Sequence, residues 1–227
     1  MSATPMLSLV PNVSSDRVLR VLCLGAHADD IEIGCGGTVL ALTEQRRNVT
    51  VDWVVFSAAP EREREARASA DAFLAAAKEK SVVVKAFRDG FFPYIGGDIK
   101  EQFERLKEAC APDLILTHHR HDLHQDHRLI SELTWNTFRR HLILEYEIPK
   151  SDGDLGAPNL FVPLDESTSR RKIDYILEHF QSQADRSWFS REVFTGILRL
   201  RGLEANSPTA LAEGFYCRKA VLDMEAR

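Results

Sequence analysis

Histidine and aspartate are the residue types most able to do chemistry in this chain, and they gather in two short segments. Six of the eight histidines lie there. The first segment is residues 27–30 (His-Ala-Asp-Asp), and the second is residues 118–127, whose histidines and acids are His118, His119, His121, Asp122, His124, Asp126 and His127. Imidazole and carboxylate are ligands of catalytic zinc, which takes three groups from the protein and leaves one position for water. The residue types therefore indicate a metal site.

Such a site would supply a nucleophile at neutral pH. A bound metal lowers the pKa of its water to about 7. A spare carboxylate can then act as general base, and a spare histidine as acid or charge stabiliser. The two segments hold more than three candidate ligands, which leaves residues for these roles. The structural alternative is that Asp and His at strand ends cap helices and fill polar loops. Two segments of this composition favour the metal site.

Both segments follow apolar runs that are typical of buried strands. The runs are residues 17–24, which end at Gly25, and residues 113–117. In a parallel sheet, the loops after the strands leave from the carboxyl edge, where open α/β folds bind ligands. Two segments distant in sequence are thereby expected at one edge of one sheet.

Strands and helices alternate over residues 17–140, as in βαβ units and a parallel sheet. The further elements expected there are a helix from Gly36, a strand at 49–56, a helix after Pro60, a strand at 81–87 and a helix at 98–110. In the last third we expect strands at 142–147 and 159–164, helices near 165–180 and 187–202, and a strand at 212–222. No linker separates this third. We therefore predict one domain over residues 1–227, with residues 1–16 as a loose tail.

Composition excludes several classes of protein. Hydrophobic residues make up 44% and charged residues 28%, which is an ordinary globular balance. The net charge of −5 argues against a nucleic-acid-binding face. The four cysteines form no C-x-x-C pair, which favours reduced thiols and a cytoplasmic location. The N-terminus is a poor signal peptide, and no window approaches the roughly 18 apolar residues of a membrane span.

The two segments resemble a known family. Residues 25–34 (GAHADDIEIG) resemble the first signature of the PIG-L/LmbE-like zinc-dependent N-deacetylases, and residues 124–127 (HQDH) resemble its His-x-Asp-His segment. The family's first motif is usually His-Pro-Asp-Asp-Glu, whereas this chain has Ala28 for the proline and Ile31 for the glutamate, with Glu32 one position later. Pattern and resemblance together predict a Rossmann-like three-layer α/β sandwich with a mostly parallel sheet and a C-terminal extension.

The resemblance also implies a role for each matching residue. One zinc ion per chain would have three protein ligands: His27, Asp30 and His127. Asp29 matches the general base that activates zinc-bound water. His124 matches the histidine that stabilises the oxyanion or protonates the leaving amine, and Asp126 matches the carboxylate that orients it. The implied reaction is removal of the acetyl group from an N-acetylglucosamine-type sugar or its conjugate, a small-molecule partner.

Other interpretations stay open. The motifs are compatible with an amidase acting on a larger acyl or thiol-conjugate amide, with a metallophosphatase, which needs two metals, and with a catalytically silent sugar-binding protein. His118, His119 and His121 are interpreted as ordinary loop residues or as support behind the ligands. The charge run after Pro60 is interpreted as a solvated helix face. A homo-oligomer stays open.

Overall fold

Apolar stretches form the strands of one seven-stranded sheet in the computed structural model, which describes residues 17–221. The strands are β1 Leu19–His27, β2 Val49–Ser57, β3 Glu79–Val84, β4 Leu114–His118, β5 Leu142–Tyr146, β6 Leu160–Pro163 and β7 Ala212–Cys217. Their order across the sheet is β3-β2-β1-β4-β5-β7-β6. β1 to β5 are parallel, and β7 runs antiparallel between β5 and β6. The last two strands therefore extend the parallel sheet.

Helices cover both faces of this sheet. They are α1 Asp30–Gln45, α2 Pro60–Phe73, α3 Gly96–Ala109, α4 Gln125–Thr137, α5 Glu166–His179 and α6 Arg191–Glu204. One apolar core lies under α1, α2, α5 and α6, and a second lies under α3 and α4. Alternate residues of the strands point to opposite faces, so Cys23 enters the first core while Leu22 and Leu24 enter the second. This confirms the predicted three-layer α/β fold.

The start of α1 differs from the prediction. The glycines of residues 34–37 suggested a helix beginning at Gly36, but α1 begins at Asp30 and contains them. Close packing explains their presence, because a Cβ added at Gly34 would lie 2.1 Å from Tyr146 Cδ2. The Tyr146 hydroxyl donates to the Leu24 carbonyl oxygen at 2.7 Å, which fixes the ring between α1 and β1. Glycine thus lets the helix lie against β5 at the edge of the sheet that carries both segments.

One helix was missing from the sequence-based prediction. α4 begins within the second histidine segment, and its buried face includes His127, Ile130 and Thr134. These positions have the three-to-four-residue spacing of a helix face. The histidines and acids of residues 118–127 indicate a metal site, and the helical period that begins inside the same segment also indicates a helix.

Two expectations concern the whole chain. Within residues 17–221, no helix is long and apolar enough to cross a membrane. The predicted loose tail, residues 1–16, lies outside the described residues, and the prediction of a single domain stays a prediction.

Candidate metal centre and active site

Both segments lie at the carboxyl edge, each between a strand and the helix that follows it. β1 ends at His27, and α1 begins three residues later at Asp30. β4 ends at His118, and α4 begins at Gln125. The backbone N–H of His27 donates to Asp30 Oδ2 at 2.6 Å, which fixes the first turn. Because β1 and β4 are neighbours in the sheet, these two turns face each other.

The three predicted metal ligands converge. His27 Nδ1 lies 3.2 Å from His127 Nε2 and 3.3 Å from Asp30 Oδ2. The other oxygen of Asp30, Oδ1, lies 3.5 Å from His127 Nε2. Asp30 and His127 are buried, and only 15% of the His27 side chain is exposed. Two nitrogens and a carboxylate thus lie close together, which is a donor set that suits zinc. Other groups here could also hold a metal ion, namely His124 with His27 and His127, His118 with Asp30 and His127, and Asp89 with His27 and Asp126.

A carboxylate lies behind each of the two histidines. Asp122 Oδ2 is 2.9 Å from His127 Nδ1, and Lys150 Nζ is 3.0 Å from the same oxygen. Asp126 Oδ2 is 3.3 Å from His27 Nε2. Histidine ligands of metals usually donate their second N–H to such a partner, which fixes the ring and its tautomer. Both rings are therefore held with one nitrogen facing Asp30.

The protonation of these groups also suits a cation. Burial and the neighbouring His118 lower the pKa of His127 to about 4, so its imidazole is neutral at pH 7, as a ligand must be. Burial alone would raise the pKa of Asp30, but His127 and the other nearby histidines hold it well below its usual range. Burial would lower the pKa of His27, yet Asp30 and Asp126 raise it well above 6.5, so a metal ion bound here would have to replace the proton of this imidazole. The carboxylates around His27 thus favour positive charge at this point.

Asp29 is buried and precedes Asp30, one of the candidate ligands. It is the N-cap residue of α1, but its side chain makes no capping hydrogen bond. Instead, Asp29 Oδ1 lies 2.7 Å from Arg62 Nη2 of α2, as an ion pair without good hydrogen-bond geometry. Burial raises the pKa of Asp29, and the charge of Arg62 opposes that rise. The helix-capping explanation for this aspartate therefore has no hydrogen bond to support it.

His124 lies at the start of α4, with its ring against His27 and His127, the two candidate histidine ligands. The ring centroids are 4.9 Å from His27 and 4.5 Å from His127. His124 Nδ1 accepts from the backbone N–H of Asp126 at 3.3 Å. Burial and the charge of His27 lower the pKa of His124, so the neutral ring predominates at pH 7. With Nδ1 as acceptor, the proton is on Nε2, which makes that atom a hydrogen-bond donor.

The position of Asp126 differs from the role predicted for it. Its carboxylate was expected to orient His124, but the structure places it against His27 and the loop that follows β3. Asp126 Oδ2 accepts from Gly90 N at 2.7 Å, and Oδ1 accepts from Phe92 N at 3.1 Å. The contact with His124 comes from the backbone amide of Asp126 instead. The carboxylate therefore supports a candidate metal ligand and anchors a loop.

Three residues near the centre were not among the site residues predicted from the sequence. Asp89 Oδ1 lies 3.0 Å from His27 Nε2 on a side chain that is 75% exposed. His118 Nε2 accepts from Ala26 N at 2.9 Å and lies 3.2 Å from Asp30 Oδ2. Arg62 belongs to the charge run that was interpreted as a solvated face. Only His118 had a signal in the sequence, its place at the end of a strand.

Glu32 takes no part in these contacts. It is fully buried in α1, and neither carboxyl oxygen has a hydrogen-bond partner within residues 17–221. Burial raises its pKa well above the usual range. Nothing in the structure assigns to Glu32 the place of the glutamate that the family motif usually carries.

Fold and site together define a class, which is an α/β protein with a His/Asp centre at the carboxyl edge of its sheet. Residues 22–138 match the family model PIG-L, described as GlcNAc-PI de-N-acetylase. The chain belongs to this family, whose deacetylases are hydrolases acting on amides. No curated protein sequence matches the chain.

Solved structures with this fold include proteins of different activity. The conserved protein TT1542 from Thermus thermophilus is 19% identical over 91% of this chain and 98% of its own, with a TM-score of 0.70. N,N'-diacetylchitobiose deacetylase from Pyrococcus horikoshii is 20% identical over 86% and 82%, with a TM-score of 0.65. GalB, a 4-carboxy-2-hydroxymuconate hydratase from Pseudomonas putida, is 17% identical over 92% and 99%, with a TM-score of 0.66. The fold alone therefore leaves the reaction open.

Proposed function

We propose that this protein is a zinc-dependent deacetylase that removes the acetyl group from an N-acetylglucosamine-type amino sugar or its conjugate. One zinc ion per chain would be held by His27, Asp30 and His127. The observation that carries the proposal is the convergence of these three side chains. His27 Nδ1 lies 3.2 Å from His127 Nε2, and the two oxygens of Asp30 lie 3.3 Å from His27 Nδ1 and 3.5 Å from His127 Nε2. Asp29 and His124 lie beside them. The family match and the chitobiose deacetylase with the same fold support a sugar acetamide as substrate.

Asp29 is the proposed general base. Zinc, when bound, lowers the pKa of a water molecule and polarises the acetamide carbonyl. Asp29 would accept the proton as the water oxygen attacks the carbonyl carbon. A carboxylate can do this only while it is ionised, and burial works against ionisation. Arg62, 2.7 Å away, opposes this effect of burial.

His124 would complete the reaction. Its Nε2–H is the donor for the oxyanion that forms when the carbonyl is attacked. When the carbon–nitrogen bond breaks, the leaving amine would take the proton that Asp29 accepted from water, and the products are the free amino sugar and acetic acid, which ionises to acetate. Asp126 is proposed to hold His27, and Asp122 to hold His127, because these are the rings their carboxylates contact.

The other interpretations lead to different products. An amidase for larger acyl groups would release a longer acid than acetate. A metallophosphatase would bind two metal ions and release phosphate, and a silent sugar-binding protein would release nothing. A protein that only bound a sugar would need neither a general base nor an oxyanion donor. The presence of Asp29 and His124 therefore favours a catalytic protein. The cytoplasmic location and the oligomeric state stay predictions.

The test is acetate release from methyl N-acetyl-β-glucosaminide by the zinc-loaded full chain. We expect turnover that is lost on chelation and restored by one zinc ion per chain, while His127→Ala stays inactive. Longer acyl amides and phosphate esters of the same sugar are assayed in parallel. Acid release only from the longer amides, or phosphate release with two bound metals, would replace the proposal with the corresponding alternative.

A further inference from the structure

Three loops surround the candidate centre at the carboxyl edge. They are residues 85–91 after β3, residues 119–124 after β4 and residues 147–159 after β5. Gly90 N donates to Asp126, and the Gln125 side chain donates to Gly90 O, which joins the first loop to the start of α4. Leu123 N donates to Asp154 Oδ2 at 2.7 Å, which joins the second loop to the third. The rim is therefore one hydrogen-bonded unit.

Large apolar side chains extend from this rim into solvent. The exposed fractions are 37% for Phe91, 57% for Leu123 and 41% for Leu155, and Tyr94 just beyond the first loop is 77% exposed. Exposed apolar side chains on the loops beside a polar centre are typical of a ligand-binding surface.

Two of these side chains form an aromatic platform with Arg88. The ring centroids of Phe91 and Tyr94 are 5.9 Å apart, and the Arg88 guanidinium carbon is 3.5 Å from the Phe91 centroid. The platform is continuous with the centre, because the intervening Asp89 lies 3.0 Å from His27 Nε2. The backbone on either side of Phe91 is held by Asp126. The loop that carries the platform therefore also reaches the candidate centre.

We infer that this rim is an aglycone subsite, and that the substrate carries an apolar group, alkyl or aryl, on its amino sugar. The inference rests on the proposed function and narrows its substrate class. An acetamide bound at the centre leaves the rest of the sugar at the rim, so a group attached to the sugar lies against Phe91, Tyr94, Leu123 or Leu155. All four offer apolar surface, which gains free energy when an apolar group covers it.

The experiment compares kcat/KM for acetate release from the methyl, phenyl and hexyl N-acetyl-β-glucosaminides and from N,N'-diacetylchitobiose. We expect the phenyl and hexyl glycosides to exceed the methyl glycoside by about ten- to hundredfold, as burial of roughly 60–100 Å² of apolar surface implies. A larger gain for phenyl identifies an aryl group as the occupant, and a larger gain for hexyl identifies an alkyl chain.

Variants locate the gain. Tyr94→Ser and the double change Phe91→Ser with Tyr94→Ser should lower the phenyl-to-methyl ratio of kcat/KM, the double change by about tenfold. Leu142→Ser is the matched control, because Leu142 is 38% exposed at the start of β5, on the opposite edge of the sheet. It should keep the ratio. Melting temperatures show that each variant folds, and Tyr94 is exposed enough for its change to be tolerated.

Each other outcome overturns the inference. Equal kcat/KM for methyl, phenyl and hexyl glycosides would leave the deacetylase proposal intact and remove the subsite. A gain only with chitobiose would make the occupant a second sugar. If the platform variants change the oligomeric mass in solution but keep the phenyl-to-methyl ratio of kcat/KM, the platform is a contact between copies of the chain. Absence of acetate release from every glycoside would refute the proposed function itself, which is a distinct result.

Discussion

Replacement of Arg62 by methionine tests whether Asp29 is the general base, because it changes the pKa of Asp29 without changing a proposed metal ligand. Within residues 17–221, the one ion pair of Arg62 is with Asp29. Methionine keeps much of the apolar stem and removes the charge. Asp29 must be ionised to accept a proton, so kcat/KM should rise with pH through the pKa of Asp29. Burial raises that pKa and Arg62 opposes the rise, so the variant should need a higher pH for the same activity.

The structure sets the size of the effect. An opposite charge within about 4–6 Å lowers the pKa of a carboxyl group by roughly 1–3 units. The distance of 2.7 Å argues for a large shift, but 24% of the Arg62 side chain is exposed and solvent screens part of its charge. We therefore expect the acidic limb to move up by about 1–2 pH units. At a pH below both limbs, the loss in kcat/KM is then about ten- to hundredfold.

The assay is the pH profile of kcat/KM for acetate release, with metal content measured on the same preparations. Arg64→Met is the matched control, since Arg64 is an exposed arginine on the same helix. Its profile should coincide with that of the unchanged protein. Arg62→Lys should restore part of the shift. If Arg62→Met loses activity equally at every pH, or loses its metal, Arg62 acts on folding or on the centre and the assignment of Asp29 fails.

Four further substitutions separate the other roles. Asp29→Asn should keep its metal and melting temperature, since no capping bond is lost, and lower kcat by about 10²–10⁴-fold; a fully active variant would contradict the assignment. His127→Ala should lose the metal, measured by elemental analysis, and full occupancy would show that it is no ligand. His124→Ala should keep the metal and lose about 10²–10³-fold in kcat, and a normal rate would remove it from the mechanism. Asp126→Asn should weaken metal affinity by about 10–100-fold in a chelator competition, because its carboxylate contacts His27; unchanged affinity with a lower rate would return Asp126 to the role of orienting His124.

Sequence reasoning succeeded where a feature depends on neighbours along the chain. The apolar runs before His27 and His118 predicted two parallel strands, and the topology of such sheets then required both segments to share one edge. The same logic predicted the C-terminal extension of the sheet. β7 and β6 follow the parallel strands, with β7 pairing β5 through Leu144 and Cys217. These predictions needed no knowledge of how the elements pack.

It failed where a role depends on the rotation of one element against another. Arg62 lies in a run of alternating charges, and nothing in that run distinguishes it from Arg64. The packing of α2 beside α1 turns one of them toward Asp29 and leaves the other in solvent. Asp126 is a similar case. His124 is the N-cap of α4, and its side chain accepts from the backbone amide of Asp126. The carboxylate of Asp126 is turned the other way and faces His27.

The glycines of α1 show a conflict between helix propensity and the close packing that the site requires. Glycine destabilises a helix interior by about 0.5–1 kcal/mol relative to alanine, so residues 34–37 are a poor local choice for a helix. Larger residues have no room there, since a Cβ at Gly36 would lie 2.5 Å from Phe73 and one at Gly37 would lie 2.4 Å from Leu164. This close packing fixes how near α1 lies to its neighbours. Because Asp30 is in the first turn of α1, the packing also fixes the position of Asp30 beside His27 and His127. The glycines therefore lower the intrinsic stability of α1 but allow the close packing on which the position of Asp30 depends.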